Sequence, residues 1–424
     1  MSLLFALIAV DIGGTKTKAA AVECESPNTK SQSPNNHQAP IINHQTVWCF
    51  GHWSLELVWC LGFGHWLFQL RKKPAAKPAG MRVWATVEIP TPRADPAAFY
   101  DAIARLVSEV RVEAERAGVV VLPLVAVAHP GRFLPDGPLA RGTTPNLGAS
   151  RPSAFDGIRP AQELSRRLAA EVIAENDAVA QMRFGLHALL RDPAMRPRLL
   201  KETVVYLGPG TGMGGGVARI DADGGVTPVT DGHLFDLQLA GGLTAEEVFT
   251  GPAIARAVEA ANTHLALPIQ PARAGGLDEV LLNPASLPSQ RAAAKQVADA
   301  HGRILATLIE TIHAGTITKV RVECLPGGRM ARHVDEPDRA WPAEDRAIVK
   351  GSRRFILGGF VGTSRGFGPL VCARALAALR ERGLNDVEIF QIPVDSADAG
   401  LLGAAQAIPA DIIRHHLRHT PMTE

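Results

Sequence analysis

Three times in this chain an apolar, strand-like run ends in a cluster of glycines. "LLFALIAV" leads into "DIGGTKTK", "ETVVYLG" into "LGPGTGMGGGVARI", and "RRFILGG" ends in Gly358 and Gly359. A strand that stops at glycine can turn tightly and present backbone N–H groups to an anion. Repetition of that arrangement restricts the chain to folds in which several strand ends converge on one site.

Between these loops, apolar runs alternate with Ala- and Leu-rich stretches of helical spacing, the pattern of an α/β protein. The first strand is expected at Leu3 to Val10, followed by strands at "MRVWATVEIP" and "VLPLVAVA" with a helix from about Asp95 to Ala117 between them. A helix from about Arg159 then leads to the strand "EVIAEND". A long helix comes next at about Ala178 to Leu190, before the strand "ETVVYLG". Further helices are expected near Pro252 to Leu265, Ser289 to Ala314 and in "AGLLGAAQAIP".

Composition narrows the partners. With 424 residues, 46% of them apolar and 20% charged, the chain can bury substantial cores in two or three domains. A formal charge of +2 provides no global field for nucleic acid or an acidic membrane, so a small-molecule ligand is expected. The five cysteines are widely spaced and form no CxxC pair, which argues against a disulfide framework or a cysteine zinc site and fits a reducing cytoplasm. Neither the short N-terminal apolar run nor Val47 to Leu70, interrupted by Glu56, His52, His65 and glycines, reads as a membrane span.

One segment, at about 24–80, differs in character. It is rich in Ser, Pro, Asn and Gln and then in tryptophan, and "VWCFGHW" at Val47 and "VWCLGFGHW" at Val58 are imperfect copies. A duplication confined to one segment is expected to be an insertion, since one short repeat cannot build a solenoid. An aromatic patch for a partner or a lid is the functional alternative.

The chemistry is expected at the loops. Gly13, Gly14 and Thr15 can cradle phosphate, and Asp11 beside them makes sense if Mg²⁺, held through water, stands between carboxylate and anion. A plain hairpin turn with a solvated aspartate is the alternative. Gly210, Thr211 and Gly212 lack the GK[ST] ending of a Walker loop and read as a strand-turn-strand hairpin. It would serve terminal phosphates or be merely flexible. Gly358 and Gly359 would admit a flat base or ribose. Asn176 and Asp177 sit where a strand gives way to a helix. Asp177 is either an N-cap or the base that takes a proton from an attacking alcohol.

Taken in order, "DIGGTKTK", "PNLG", "AEND", "GTGMGGG", "DGH", "ILGG" and "GLLGAA" resemble the ROK family of sugar kinases, within the hexokinase and actin-like ATPase superfamily. The resemblance covers almost everything outside the inserted segment. It implies a two-lobed ribonuclease H-like fold with an interlobe cleft. The N-terminal lobe would span residues 1–189, completed by 405–424, and the C-terminal lobe 190–404.

By the same resemblance, Asp177 is the general base, and Asn146, Asn176, His233 and Glu246 contact the sugar. Asp11 is the metal-linked acid. Gly13, Gly14 and Thr15 form the first phosphate loop, Gly210, Thr211 and Gly212 the second, and Gly358 and Gly359 line the adenosine site. ATP and Mg²⁺ are the implied cofactors, a hexose the substrate and a homodimer the assembly. Two departures stand out. Thr230 occupies the position of a family glutamate three residues before the histidine, and "LQLAGGLTAEE" lacks the family's zinc-binding cysteines, so no zinc site is expected. The expected activity is transfer of a phosphoryl group to a glucose-like 6-hydroxyl. A catalytically weak sensor or scaffold and a polyphosphate-dependent glucokinase are the alternatives. A sugar-responsive transcription factor would need a helix-turn-helix module before the first loop, where only ten residues precede Asp11.

Overall fold

The computed structural model describes residues 4–14, 16–24, 47–50, 53–59, 66–72, 81–92, 95–141, 143–144, 147, 152–230, 237, 239, 243–316, 321–324, 330–333, 347–392 and 398–420; at 47–50, 53–59, 66–72, 152–153, 321–324 and 330–333 it does so for the backbone only. Two five-stranded sheets carry the architecture, and they share one topology.

In the first sheet, β1 (Phe5–Ile12) pairs antiparallel with β2 (Lys16–Glu23), and β2 with β6 (Val83–Pro90). On its other side β1 lies parallel to β7 (Val120–His129), which lies parallel to β8 (Glu171–Asn176). The order is therefore β6-β2-β1-β7-β8. The second sheet repeats it. β9 (Thr203–Pro209) pairs antiparallel with β10 (Met213–Ile220), which pairs with β11 (Val226–Thr230). β14 (Arg354–Leu357) and β15 (Glu388–Gln391) then lie parallel on the far side, giving β11-β10-β9-β14-β15.

Both sheets are covered on both faces, as the alternation of side chains demonstrates. Along β1, Ala6, Ile8, Val10 and Ile12 join a core with Phe99, Ile103 and Leu106 of helix α1 (Pro96–Arg116). Leu7 and Ala9 point the other way, into a core with Ala399, Leu401 and Leu402. α1 starts where Asp95 accepts from the Ala97 and Ala98 N–H groups at 3.0 and 3.1 Å and Pro96 takes the first helical position.

Helix α3 (Asp177–Arg191) comes after α2 (Pro160–Leu168) and β8, and it belongs to both halves. Its Ala180 and Phe184 enter the core under the first sheet, while Val179, Met182, Leu186 and Leu189 enter a core with Val204, Tyr206 and Ile356 of the second. A lobe boundary at 189 thus falls inside a shared helix. The C-terminal return also begins earlier than 405: the helix Ala399–Gln406 already packs on the first sheet.

The outer face of the second sheet is covered by α6 (Gly251–Asn262), α7 (Ala274–Leu282) and α8 (Pro288–Ala314), after the short α4 (Arg196–Leu199) and α5 (Ala245–Val248). Beyond them come α9 (Gly359–Thr363), α10 (Phe367–Glu381), α11 (Ala399–Gln406) and α12 (Ala410–His419). The His416 ring, 2.8 Å from Glu171, ties α12 to the first residue of β8.

The segment expected to be inserted leaves from a hairpin. The β2 and β6 strands are direct neighbours, and the Glu23 N–H donates to the Arg82 carbonyl at 2.8 Å. The chain between them contains a three-stranded antiparallel sheet of β3 (Val47–Phe50), β4 (Trp53–Trp59) and β5 (Trp66–Lys72). A second small sheet pairs β12 (Arg321–Cys324) with β13 (Met330–His333). Among the described residues, Cys24 and Cys372 are buried free thiols, and no helix is long and apolar enough to cross a membrane.

Candidate active site

Asp11 occupies the face of β1 that parity assigns to it. As an odd-numbered residue it continues from Leu7 and Ala9 onto the side covered by α11, beside Gly400 at the start of that helix. The carboxyl is pushed up to about 7, first by burial and then by the charge of Asp177; Lys18 pulls it down and Asp398 raises it further. Lys18, its cross-strand neighbour on β2, forms an ion pair with Asp398, the residue preceding α11.

Asp177 is the first residue of α3. Asn176 caps the helix, its Oδ1 accepting from Ala178 N at 3.0 Å and Val179 N at 3.2 Å. The Asp177 Oδ1 accepts from Ala178 N at 2.9 Å, and burial pushes this carboxyl up to about 6 against the pull of that bond. Both Asp11 and Asp177 remain partly open to solvent. The two carboxylates, 166 positions apart in sequence, therefore lie within electrostatic reach of one another, Asp11 beside the first turn of α11 and Asp177 at the start of α3.

The helix start is pressed onto the second glycine loop. A β-carbon on Gly214 would lie 3.0 Å from the Ala178 β-carbon, so the glycine lets α3 approach β10. The loop itself is a hairpin turn, as expected. Gly210 N–H donates to the Gly212 carbonyl at 2.8 Å, and the Gly210 carbonyl accepts from Gly251 N at 2.8 Å. Among the described residues, the amides of Thr211 and Gly212 have no protein acceptor, which leaves two donors side by side at a turn.

The first loop is tighter than a phosphate cradle built on all three expected residues. Gly13 N–H is committed to the Lys16 carbonyl at 3.0 Å, and the Gly13 carbonyl accepts from the Thr91 hydroxyl at 2.6 Å. Thr15 lies outside the described residues, as do Asn146 and His233.

Two of the expected sugar contacts have structural engagements. Both ends of the Asn176 amide are used, since its Nδ2 also donates to the Gly131 carbonyl at 2.9 Å. The residue is 6% exposed, and its amide fixes the turn from which Asp177 starts the helix. Glu246 Oε2 accepts from Met213 N, holding the second loop, while Oε1 has no partner among the described residues. Burial raises the Glu246 carboxyl and the Met213 bond partly offsets it.

The glycine pair expected at an adenosine site is approached by the protein itself. Gly359 adopts φ +57°, and a β-carbon there would lie 2.2 Å from the Pro209 carbonyl oxygen. A β-carbon on Gly358 would lie 2.2 Å from the Tyr206 hydroxyl. These glycines therefore let β14 close against the end of β9, whatever else they border.

Several site residues carry no motif of their own. Lys18 was legible only as part of "DIGGTKTK", and Asp398 not at all. Glu175, two positions before Asp177, forms an ion pair with Arg183 at 3.0 Å along the side of α3. Among the described residues, no group of three or more His, Cys, Asp or Glu is placed to hold a metal ion.

This arrangement of two matched sheets, bridging helix and converging strand ends is found in solved structures. A glucokinase from Streptomyces griseus, in complex with glucose and AMPPNP, aligns over 95% of this chain and 98% of its own at 17% identity, TM-score 0.53. A hexokinase from Thermus thermophilus aligns over 96% and 99% at 19% identity, TM-score 0.50. Both are ROK proteins. The chain has the ROK fold. A ROK transcriptional regulator, a homologue of the E. coli MLC protein, shares that fold as well, at 12% identity and TM-score 0.51 over 95% of this chain and 78% of its own. No family model and no curated protein matches the sequence. Asp11 lies near the end of β1 and Asp177 directly follows β8, and both strands pair parallel with β7.

Proposed function

We propose that this protein is a sugar kinase that transfers the γ-phosphoryl group of ATP to a hexose, at the 6-hydroxyl of a glucose-like substrate, with Asp177 as general base. The observation that carries this reading is the meeting of the Asp11 and Asp177 carboxylates beside a hairpin with two unpaired amides.

A carboxyl at about 6 is ionised at neutral pH yet more basic than an ordinary aspartate, as a proton acceptor requires. The sugar hydroxyl gives its proton to Asp177 as its oxygen attacks the γ-phosphorus; the new oxygen–phosphorus bond forms as the bond to the bridging oxygen breaks, and ADP leaves. Thr211 and Gly212 would donate to the terminal phosphates. Asn176 holds the base in place, Glu246 Oε1 is open to a sugar hydroxyl, and Asn146 and His233 would complete the sugar contacts. Gly358 and Gly359 would border the adenosine.

The donor set fits Mg²⁺. Asp11 is raised by burial and by the neighbouring Asp177 charge, while Lys18, the cation that lowers it, is already paired with Asp398. Mg²⁺ typically uses one or two carboxylates with water and phosphate oxygens, so Asp11, through water, would suffice. When bound it supplies neutralisation of phosphate charge. The glucose and AMPPNP held by the S. griseus protein support the choice of donor and acceptor.

The test is product formation across a panel of hexoses, with Mg-ATP and with polyphosphate as donors. Phosphorylation of a hexose, abolished in Asp177→Ala with sugar affinity retained within a few-fold, is the expected result. Near-parental turnover in Asp177→Ala would remove the base assignment. Sugar binding without turnover by the parental protein would favour a sensor, the reading to which Thr230 lends support.

A further inference from the structure

Beneath the catalytic helix lies a buried polar pair that neither fold nor proposed chemistry accounts for. His129 ends β7, directly opposite Asn176 in the register of β7 and β8, and Tyr100 reaches it from α1. Both are fully buried, among Phe99, Phe133 and Phe155. The Tyr100 hydroxyl stands 3.0 Å from His129 Nε2, and His129 Nδ1 stands 2.6 Å from the Pro130 carbonyl oxygen. A carbonyl oxygen can only accept, so Nδ1 carries the proton and donates to it. Nε2 must then accept, from the tyrosine hydroxyl. Burial pulls His129 down to about 4, so this neutral tautomer holds at physiological pH.

The direction of the pair matters because the backbone just beyond it holds the helix start. The next carbonyl after Pro130, that of Gly131, accepts from Asn176 Nδ2 at 2.9 Å, and Asn176 Oδ1 closes the turn that begins with Asp177. Gly131 makes this bend at φ +105°, a conformation closed to most side chains. An apolar pair of the same size would fill the space without burying polar atoms. What the polar pair adds is a fixed orientation for the Pro130–Gly131 backbone.

We infer that Tyr100 and His129 are positioning residues for the catalytic aspartate, acting through the chain Tyr100 hydroxyl, His129 ring, Pro130–Gly131 backbone and Asn176 amide. This inference rests on the kinase reading for its effect on turnover, but the mechanical link can be measured without it.

Tyr100→Phe removes one hydroxyl and leaves the ring. It is expected to lower kcat by roughly ten-fold with the sugar KM within about two-fold, the signature of a group felt mainly in the transition state. The two histidine variants separate the bonds: the His129→Asn amide lies near the Nδ1 position and can still donate to Pro130, whereas the His129→Gln amide reaches the Nε2 position and cannot. His129→Asn should therefore recover most of the turnover lost in His129→Gln. Independently, hydrogen exchange at the Ala178 and Val179 amides should accelerate in Tyr100→Phe, at least about ten-fold, because their acceptor is loosened. Unchanged exchange at these two amides in folded Tyr100→Phe overturns the link. Equal losses in His129→Asn and His129→Gln, tracking thermal stability alone, overturn the positioning role. If the parental protein phosphorylates no sugar with either donor, the kinase reading falls, and the exchange measurement still decides the link.

Discussion

The Asp11 carboxylate lies so close to Gly400 that a β-carbon on the glycine would sit 2.5 Å from its Cγ and 2.5 and 2.6 Å from its two oxygens. No real side chain tolerates that separation, so the first turn of α11 and the acidic end of β1 are shaped to one another. Gly400→Ala must push the carboxylate away from the place where it meets Asp177. We expect kcat to fall by about 100-fold, since displacement of a reacting group by about 1 Å is worth that much. Circular dichroism should show the fold retained. Parental kinetics in Gly400→Ala would mean that the position of Asp11 does not matter to turnover.

Three residues further along the same helix face, Gly403 serves packing. A β-carbon there would be 1.8 Å from the Ala180 carbonyl oxygen, and that oxygen belongs to helix backbone that cannot rotate away. Gly403→Ala should force α11 from α3 and destabilise the protein by on the order of 3 kcal/mol. Thermal denaturation checks this. Gly400→Ala, by contrast, should cost activity more than stability.

The raised carboxyls carry a sign that pH experiments can read. Asp11 and Asp177 both rise from an ordinary 3.8, to about 7 and about 6, so between those values the folded protein holds protons that the unfolded chain has released. Their contribution to stability is fully present below pH 3.8 and is lost as pH rises through the folded values. Asp11→Asn should therefore stabilise the metal-free protein at pH 8, by on the order of 2 kcal/mol, and hardly at all near pH 4. Denaturation in chelator at both pH values tests it; equal effects at the two would contradict the assignment.

Activity should show the opposite dependence. A base must be deprotonated, so turnover is expected to rise with pH along a limb centred near pH 6, the value for Asp177. Lys18→Met removes the one neighbouring charge that lowers Asp11 and also breaks its pair with Asp398. Its main consequence should be weaker Mg²⁺ binding at low pH, read as a higher metal concentration for half-maximal turnover at pH 6 than at pH 8. A Mg²⁺ requirement that does not change with pH in this variant would count against Asp11 as the metal-linked acid.

The excursion between β2 and β6 should be dispensable for the fold. Its ends are already joined across a hairpin by the Glu23 to Arg82 bond at 2.8 Å. Replacing residues 25–80 with a short glycine-containing turn should leave the thermal midpoint within about 2 °C, the effect of roughly 1 kcal/mol in a chain of this size. A protein that no longer folds would show that the excursion contributes to the core.

Local pattern marked β1, β6, β7, β8, β9 and β14, the longer helices α1, α3 and α8 and the glycine clusters, because these come from short-range alternation of apolar residues and from the backbone freedom of glycine; β2, β15 and the helix Phe367–Glu381 were not read from it. The helix starting at Asp177, the hairpin at Gly210 and the departure of the chain after β2 were all legible in this way. The job of each site residue, in contrast, emerged only on folding. Asn176 is spent on Gly131 and the α3 turn, Gly359 admits Pro209, Glu246 braces Met213, and Gly400 makes room for Asp11. Each of these depends on which atoms of distant segments come within a few tenths of an ångström, and no local pattern encodes that. The division between lobes was hidden for the same reason: one helix, α3, places opposite faces in two cores, and its sequence records only that both faces are apolar.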